Sequence, residues 1–199
     1  SDDMLTFAFC FPDVYEVGMS HLGMKILYHM LNEREDTVCE RVFAPWDDME
    51  QEMRKEGIPM LSMESYVPVK NFDFIGFTLQ YEMSYSNIVN MLDLAGVPLR
   101  TAERTAGDPF VCCGGPCAYH AEPLSDLVDF FILGEGEEVN SEIMDVYKEW
   151  KNSGSTDRDD FLMSIIPLGG VYVPKFYDVE YNDDNTISRF EPNREGVPK

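Results

Sequence analysis

Four loops of the sequence carry residue types that can bind a ligand, and each follows a short apolar run. Glycines at such positions let a backbone approach a ligand closely or turn with a positive φ angle. Hydroxyl, amide and carboxyl groups beside them can fix a ligand's orientation. The ten candidate residues are Asp13, Tyr15 and Gly18 in the first loop, Thr78 and Gln80 in the second, Gly114 and Gly115 in the third, and Gly134, Glu135 and Gly136 in the fourth.

The elements that must position these loops are five strands and the helices between them. Apolar runs predict strands at 6–11, 38–43, 74–79, 110–113 and 130–133, and apolar residues spaced three and four apart predict helices between them. Strands that are apolar throughout, alternating with helices, indicate a parallel sheet covered on both faces. We therefore predict an α/β, flavodoxin-like or Rossmann-like doubly wound fold with a mainly parallel five-stranded sheet. Ligands bind such sheets at the carboxyl ends of the strands, where the four loops lie.

A polar segment at 152–156 divides the chain into two predicted parts. Residues 1–151 form the α/β domain. Residues 152–199 form a linker and a short β-rich tail with strands near 169–174 and 178–181. The tail is too small for a core of its own, so we expect it to lie along the first domain or to lead to another one.

The composition limits the class of protein. The chain has 15 Lys and Arg against 37 Asp and Glu, a net charge of −22, and 13% aromatic residues. The aromatic content is typical of a globular protein, and the acidic surface argues against binding to nucleic acid or to anionic membranes. The sequence shows no apolar run of about 20 residues and no signal peptide. The five cysteines do not form a disulfide framework, so we expect a cytoplasmic location.

Each loop also has a purely structural interpretation. Asp13 and Gly18 would then form a strand-to-helix turn, and Gly114 and Gly115 a plain turn. Glu135 and the glutamates after it would complement a helix dipole. We predict no catalytic residue and no metal ligand, because the three histidines are dispersed and no nucleophile or phosphate-loop motif is present.

The loop residues resemble a known family. Asp13-x-Tyr15-x-x-Gly18, with Thr78-x-Gln80 and Gly114-Gly115, is similar to the signature of cobalamin (B12)-binding domains. The segment 134–137, Gly-Glu-Gly-Glu, is similar to the end of the cobalamin-binding-like domain of radical SAM proteins. The segments 11–23 and 43–46 resemble the N-terminal region of a multidomain radical SAM, iron–sulfur oxidoreductase-like family.

The resemblance implies a non-catalytic N-terminal domain that binds cobalamin. Asp13, Tyr15 and Gly18 would lie under the corrin, and Thr78, Gly114 and Gly115 around its nucleotide tail. The parent protein would use a [4Fe–4S] cluster and S-adenosylmethionine, which this segment would not bind. Its partner would be the radical SAM core domain of the full-length chain, on a substrate that the resemblance does not specify.

Two departures qualify the resemblance. Tyr15 stands where the family has a cobalt-ligating histidine, and a phenol with a pKa of about 10 is a poor ligand beside imidazole. Cys113 and Cys117 have the first spacing of a radical SAM cluster motif, but no cysteine follows Cys117. The domain therefore either binds cobalamin without a protein ligand or keeps the fold without the cofactor.

Two further hypotheses remain open at this point. The chain could be a ligand-free structural, docking or dimerisation module, since its tail could pack on a partner domain or on a second copy. It could also be a flavin or nucleotide binder, although its loops offer acid where a phosphate would lie.

Overall fold

The computed structural model describes residues 4–199 and contains a six-stranded sheet. The strand order is β2-β1-β3-β4-β5-β6, in which the first five strands are parallel and β6 is antiparallel to β5. A separate antiparallel hairpin, β7-β8, follows near the end of the chain. The strands are β1 (Leu5–Phe11), β2 (Thr37–Phe43), β3 (Phe74–Thr78), β4 (Phe110–Gly114), β5 (Phe130–Ile132), β6 (Val171–Tyr172), β7 (Tyr177–Tyr181) and β8 (Ile187–Pro192).

The helices cover both faces of the sheet, as a doubly wound topology requires. They are α1 (Tyr15–Gly18), α2 (Leu22–Glu33), α3 (Asp47–Glu56), α4 (Tyr85–Ala95), α5 (Glu137–Ser153) and α6 (Arg158–Ile165). Helices α2, α5 and α6 share one apolar cluster with one face of the sheet, and α3 and α4 share a second cluster with the other. The predicted α/β class and mainly parallel sheet are confirmed. The tail adds the sixth, antiparallel edge strand to the five that were predicted.

Side-chain alternation along the strands divides the core into these two clusters. Phe7 and Phe9 of β1 point toward α2 and α5, whereas Ala8 and Cys10 point toward the α3 and α4 side. We call the first surface the α2/α5 face. It is rich in aromatic rings, and it is the face on which the candidate site lies.

Residues beyond 151 contribute to the same core. Phe161 of α6 is fully buried, and its ring centroid lies 4.6 Å from that of Phe110. Arg158 lies over the same Phe110 ring at 3.9 Å and donates hydrogen bonds to the carbonyls of Asp108 and Pro109. Helix α6 is thereby fixed to the amino-terminal end of the sheet. The division of the chain at residue 151 itself stays a prediction.

Across residues 4–199, none of the helices combines the length and the apolar character needed to cross a bilayer.

Candidate functional site

A cavity of about 300 Å³ opens at the carboxyl edge of the sheet, on the α2/α5 face. We call it the edge cavity. It lies where β3, β4 and β5 end and where helices α2 and α5 begin, and Phe7 and Phe9 of β1 also line it. Seven of the ten residues predicted from the sequence line it, and they come from three of the four predicted loops: Thr78, Gln80, Gly114, Gly115, Gly134, Glu135 and Gly136.

The floor of the edge cavity depends on two strand glycines. Gly76 of β3 is in register with Phe9 of β1, and a Cβ atom at Gly76 would lie 2.4 Å from Cζ of Phe7. The Phe7 ring therefore occupies the space that a side chain at position 76 would need. Gly114 of β4 is in register with Thr78, and a Cβ there would have nothing nearer than 3.8 Å. The absence of a side chain at Gly76 lets the Phe7 ring lie over β3, and the absence of one at Gly114 leaves open space above β4.

The loop after β4 holds the side wall of the cavity. Gly115 has φ of 99°, and a Cβ atom at this position would lie 2.8 Å from the carbonyl oxygen of Leu79. The backbone of Leu79 is bonded on both sides: its N–H donates to Gly114 at 2.7 Å and its carbonyl accepts from Cys117 at 3.1 Å. Only glycine fits at position 115 without moving this backbone.

Two polar side chains meet at the end of β3. Gln80 Nε2 donates to Thr78 Oγ1 at 2.6 Å, and Thr78 is buried while Gln80 is half-buried. The hydrogen bond fixes the Gln80 amide beside the cavity. Such a pair can orient the polar edge of a ligand but carries no charge with which to hold an anion.

The fourth loop joins β5 to α5. Gly134 has φ of 102°, and Gly136 is the N-cap residue of α5. Asn140, a buried residue one turn into the helix, donates from Nδ2 to the Gly136 carbonyl at 2.6 Å. Glu135 and Glu137 are exposed at the mouth of the cavity.

His21 lines the edge cavity and was not predicted. It is the N-cap residue of α2, and its Nδ1 accepts the backbone N–H of Met24 at 3.1 Å. Histidine is outside the group of residues preferred at N-caps, so its residue type did not predict a helix cap here. One feature of the sequence could have indicated this cap: the apolar residues spaced three and four apart in α2 begin at Leu22, directly after His21.

Asp13, Tyr15 and Gly18 lie outside the edge cavity. Asp13 Oδ1 accepts the N–H of Val14 at 2.7 Å, and the ring of Tyr15 packs edge-on against Phe43 at 5.3 Å. A Cβ at Gly18 would be 2.4 Å from the same Phe43 ring. The first loop therefore forms a strand-to-helix turn packed on the end of β2. Its predicted place beneath a corrin stays a prediction.

The cysteines are all free and buried. Burial raises the pKa of each of the five thiols above its usual value, which keeps them protonated at neutral pH. Within residues 4–199 no group of three or more His, Cys, Asp or Glu side chains is placed to hold a metal ion.

The edge cavity has an acidic mouth and an apolar floor. Neither lysine nor arginine occurs among the described residues that line it, and the carboxylates are Glu135 and Glu137. The floor is built from Phe7, Phe9 and Ile132. The site can therefore enclose a flat apolar group between aromatic rings and glycine backbone, with hydrogen-bonding groups at its edge.

Comparison with known proteins places the chain in a family. Residues 23–174 match the family described as "Radical SAM proteins, N-terminal". The chain is also similar to an uncharacterised protein of Methanocaldococcus jannaschii, with 25% identity over 131 residues. That match covers 65% of this chain and 24% of the relative, so the chain spans about a quarter of the relative's length. No solved structure matches the chain significantly.

The matched segment contains the seven predicted residues that line the edge cavity, whereas Asp13, Tyr15 and Gly18 precede it. The match covers more than half of the sequence. On this ground the chain belongs to the family of radical SAM proteins, of which it represents the N-terminal region.

Proposed function

We propose that this chain is a cobalamin-binding-like domain, not itself catalytic, and that the edge cavity binds the benzimidazole end of the cofactor's nucleotide tail. The observation that carries the proposal is the cavity itself, which joins an aromatic floor to glycine-lined walls at the carboxyl ends of the strands. In an open α/β sheet this is the expected position for a cofactor.

The size of the cavity favours the tail over the macrocycle. Ligand pockets commonly enclose about 300–1,000 Å³, and the edge cavity, at about 300 Å³, is at the lower end of that range. A flat heterocycle with its sugar fits this volume. The corrin ring would remain outside, next to the cavity mouth.

The side chains of the chain fit the tail but supply no obvious ligand for cobalt. Tyr15, at the position of the family's histidine, packs against Phe43 outside the cavity. His21 accepts a hydrogen bond at Nδ1, so the proton of its neutral ring lies on Nε2, which then has no lone pair to offer a metal. We therefore infer binding without a protein ligand to cobalt. When bound, cobalamin would supply methyl-transfer or radical chemistry.

Membership of the family extends the proposal to the full-length protein. A radical SAM protein uses a [4Fe–4S] cluster and S-adenosylmethionine, and we place both in a core domain outside this chain. The donor set agrees with that division, because Cys113 and Cys117 are buried thiols with raised pKa values and no third cysteine follows them. The core domain is then the partner of this one.

Titration with hydroxocobalamin, followed by gel filtration at the corrin absorbance, tests the proposal with a matched pair of variants. Gly114→Leu adds a side chain at a cavity-lining position where a Cβ atom would have nothing nearer than 3.8 Å. Gly169→Leu adds the same side chain at an exposed position with nothing within 4 Å.

Saturable binding by the wild type and by Gly169→Leu, with at least a tenfold weaker Kd for Gly114→Leu, is the expected result. Failure of the wild type to co-elute with cobalamin at tens of micromolar contradicts the proposal. Equal binding by both variants contradicts the assignment of the tail to this cavity.

A docking function is the second candidate, and exposed apolar side chains favour it. Three large apolar side chains near the starts of helices are exposed: Leu22 (69%) begins α2, Trp46 (63%) precedes α3 and Met83 (82%) precedes α4. Apolar side chains exposed along the same edge of a sheet are typical of an interaction surface. Sedimentation of the chain as a strict monomer at high concentration would remove the homodimer version of this function.

A flavin or nucleotide site is the weakest of the candidates. Phosphate groups are usually held by helix N-termini, glycine-rich loops or basic side chains, whereas the edge cavity has two carboxylates at its mouth. If the purified protein is colourless and has no flavin absorbance, a bound flavin is ruled out and this candidate stays the weakest.

A further inference from the structure

Each of the two helices that begin at the edge cavity carries side chains at its first turn that compete with an anionic ligand, although no side chain caps α5 by a hydrogen bond. Helix N-termini normally attract phosphate through free N–H groups and the positive end of the dipole. At α2 the His21 ring accepts the Met24 N–H. At α5 the first turn carries Glu137 and Glu138, and Glu135 lies just before the Gly136 cap.

The carboxylates at the mouth oppose an anion more strongly than the α5 dipole attracts it. The dipole corresponds to about half a positive charge at the helix N-terminus, whereas Glu135 and Glu137 each contribute a full negative charge at the cavity. Neither lysine nor arginine lies among the described lining residues to offset them. The interior polar groups, Thr78, Gln80 and Asn140, are neutral.

We infer that the edge cavity binds a heteroaromatic nucleoside more tightly than its phosphorylated form, and that Glu135 and Glu137 determine this selectivity. The inference rests on the proposed binding of a benzimidazole nucleotide tail and specifies which part of it enters. The base and its sugar lie inside, and the phosphate remains in solvent beyond the two carboxylates. The same charges weaken the binding of mononucleotides and of flavin mononucleotide in the cavity.

Two probes that differ by one phosphate test the inference: the riboside of 5,6-dimethylbenzimidazole and its 3′-phosphate, which carries the phosphate at the ribose position used in cobalamin. Calorimetric titration of each into the chain at low and high salt gives the ratio of their Kd values. We expect the riboside to bind about three- to tenfold more tightly at low salt, with a ratio that shrinks as salt screens the exposed carboxylates.

Substitutions at Glu135 and Glu137 test whether these two residues cause the selectivity. The double substitution Glu135→Gln and Glu137→Gln should reduce the ratio toward one. Glu138→Gln is the matched control, because Glu138 is exposed on the same turn but does not line the cavity. It should leave the ratio near the wild-type value.

The outcomes separate this inference from the proposed function. Equal or tighter binding of the phosphate by the wild type overturns the inference alone. An equal effect of Glu138→Gln also overturns it, since the selectivity would then come from overall charge. If neither probe binds, the proposed function fails and the inference fails with it.

Discussion

The ring of Phe7 lies directly over Gly76, where a Cβ atom would come within 2.4 Å of the ring's Cζ. The two residues are on the neighbouring strands β1 and β3. The Phe7 ring also stacks on Phe74, with centroids 5.8 Å apart and planes 18° apart. This contact makes the flat aromatic floor on which the account of the edge cavity depends.

Substitution of Gly76 by alanine should disturb that floor. The added methyl group forces Phe7 out of its position, and overpacking of this kind costs about 1–3 kcal/mol. Gly114→Ala is the control, since its Cβ has ordinary clearance, and it should change stability by less than about 1 kcal/mol. Urea unfolding of both variants measures the difference, and equal stabilities would contradict the packing described.

Replacement of Arg104 by methionine should destabilise the fold strongly. The Arg104 guanidinium is fully buried and donates to Asp129 at 2.7 Å and to three backbone carbonyls. Removing one member of a buried ion pair costs about 3–5 kcal/mol, whereas an exposed pair contributes about 0–1 kcal/mol. Arg100→Met, which breaks the exposed pair with Asp126, is the matched control. Similar urea midpoints for the two variants would show that the buried contacts of Arg104 do not stabilise the fold more than the exposed pair of Arg100 does.

Stability should fall in acid partly through Asp36. A hydrogen bond from Lys148, and then contacts with Arg34, lower the pKa of Asp36 to about 2. Since the unfolded-state pKa is about 3.9, the ionised carboxylate stabilises the fold fully above that value. This stabilisation is lost as the pH falls from about 4 toward 2.

Lys148→Met should weaken this pH dependence, because it removes the largest cause of the lowered pKa. Unfolding measured at pH 5, 4 and 3 should show a smaller loss of stability between pH 4 and 3 than in the wild type. Lys55→Met, at an exposed lysine that contacts Glu52 and Glu56, should behave like the wild type. If Lys148→Met loses as much stability between pH 4 and 3 as the wild type, Asp36 does not contribute to the acid sensitivity of the fold.

Tyr15→His should leave the visible spectrum of bound hydroxocobalamin unchanged. The position is outside the edge cavity and its ring packs on Phe43, so a histidine there is not directed at a bound tail or its metal. A shift toward the spectrum of histidine-ligated cobalamin would show instead that the first loop lies beneath the corrin.

The strands were predictable from the sequence because burial on both faces leaves nearly continuous apolar runs. Apolar spacing over 85–95, followed by Gly96, predicts a helix that agrees with α4, and Gly96 ends α4 in the left-handed conformation. The helix at 158–165 was not predicted, since only Phe161, Leu162 and Ile165 are buried and the segment is short. Asp47 and Glu50 have the spacing of a capping box, which predicts Asp47 as the helix cap, but Trp46 is the N-cap residue of α3 and makes no side-chain cap hydrogen bond.

The candidate site was predictable where glycines or polar residues directly follow the strands. Seven of the predicted residues in those loops line the edge cavity. The role of Gly76 depends on Phe7, far away in sequence, and that of His21 on a cap in which histidine is unusual. Both arise from tertiary packing, which local patterns do not report.

The central claim is that the nucleotide tail, and not the corrin, is what the edge cavity holds. Comparison of dicyanocobalamin with dicyanocobinamide, which lacks the tail, tests it most directly, because cyanide occupies both axial positions of cobalt in each. We expect calorimetry to show saturable binding of dicyanocobalamin and binding of dicyanocobinamide that is weaker by tenfold or more. Equal affinity for the two compounds would contradict the claim.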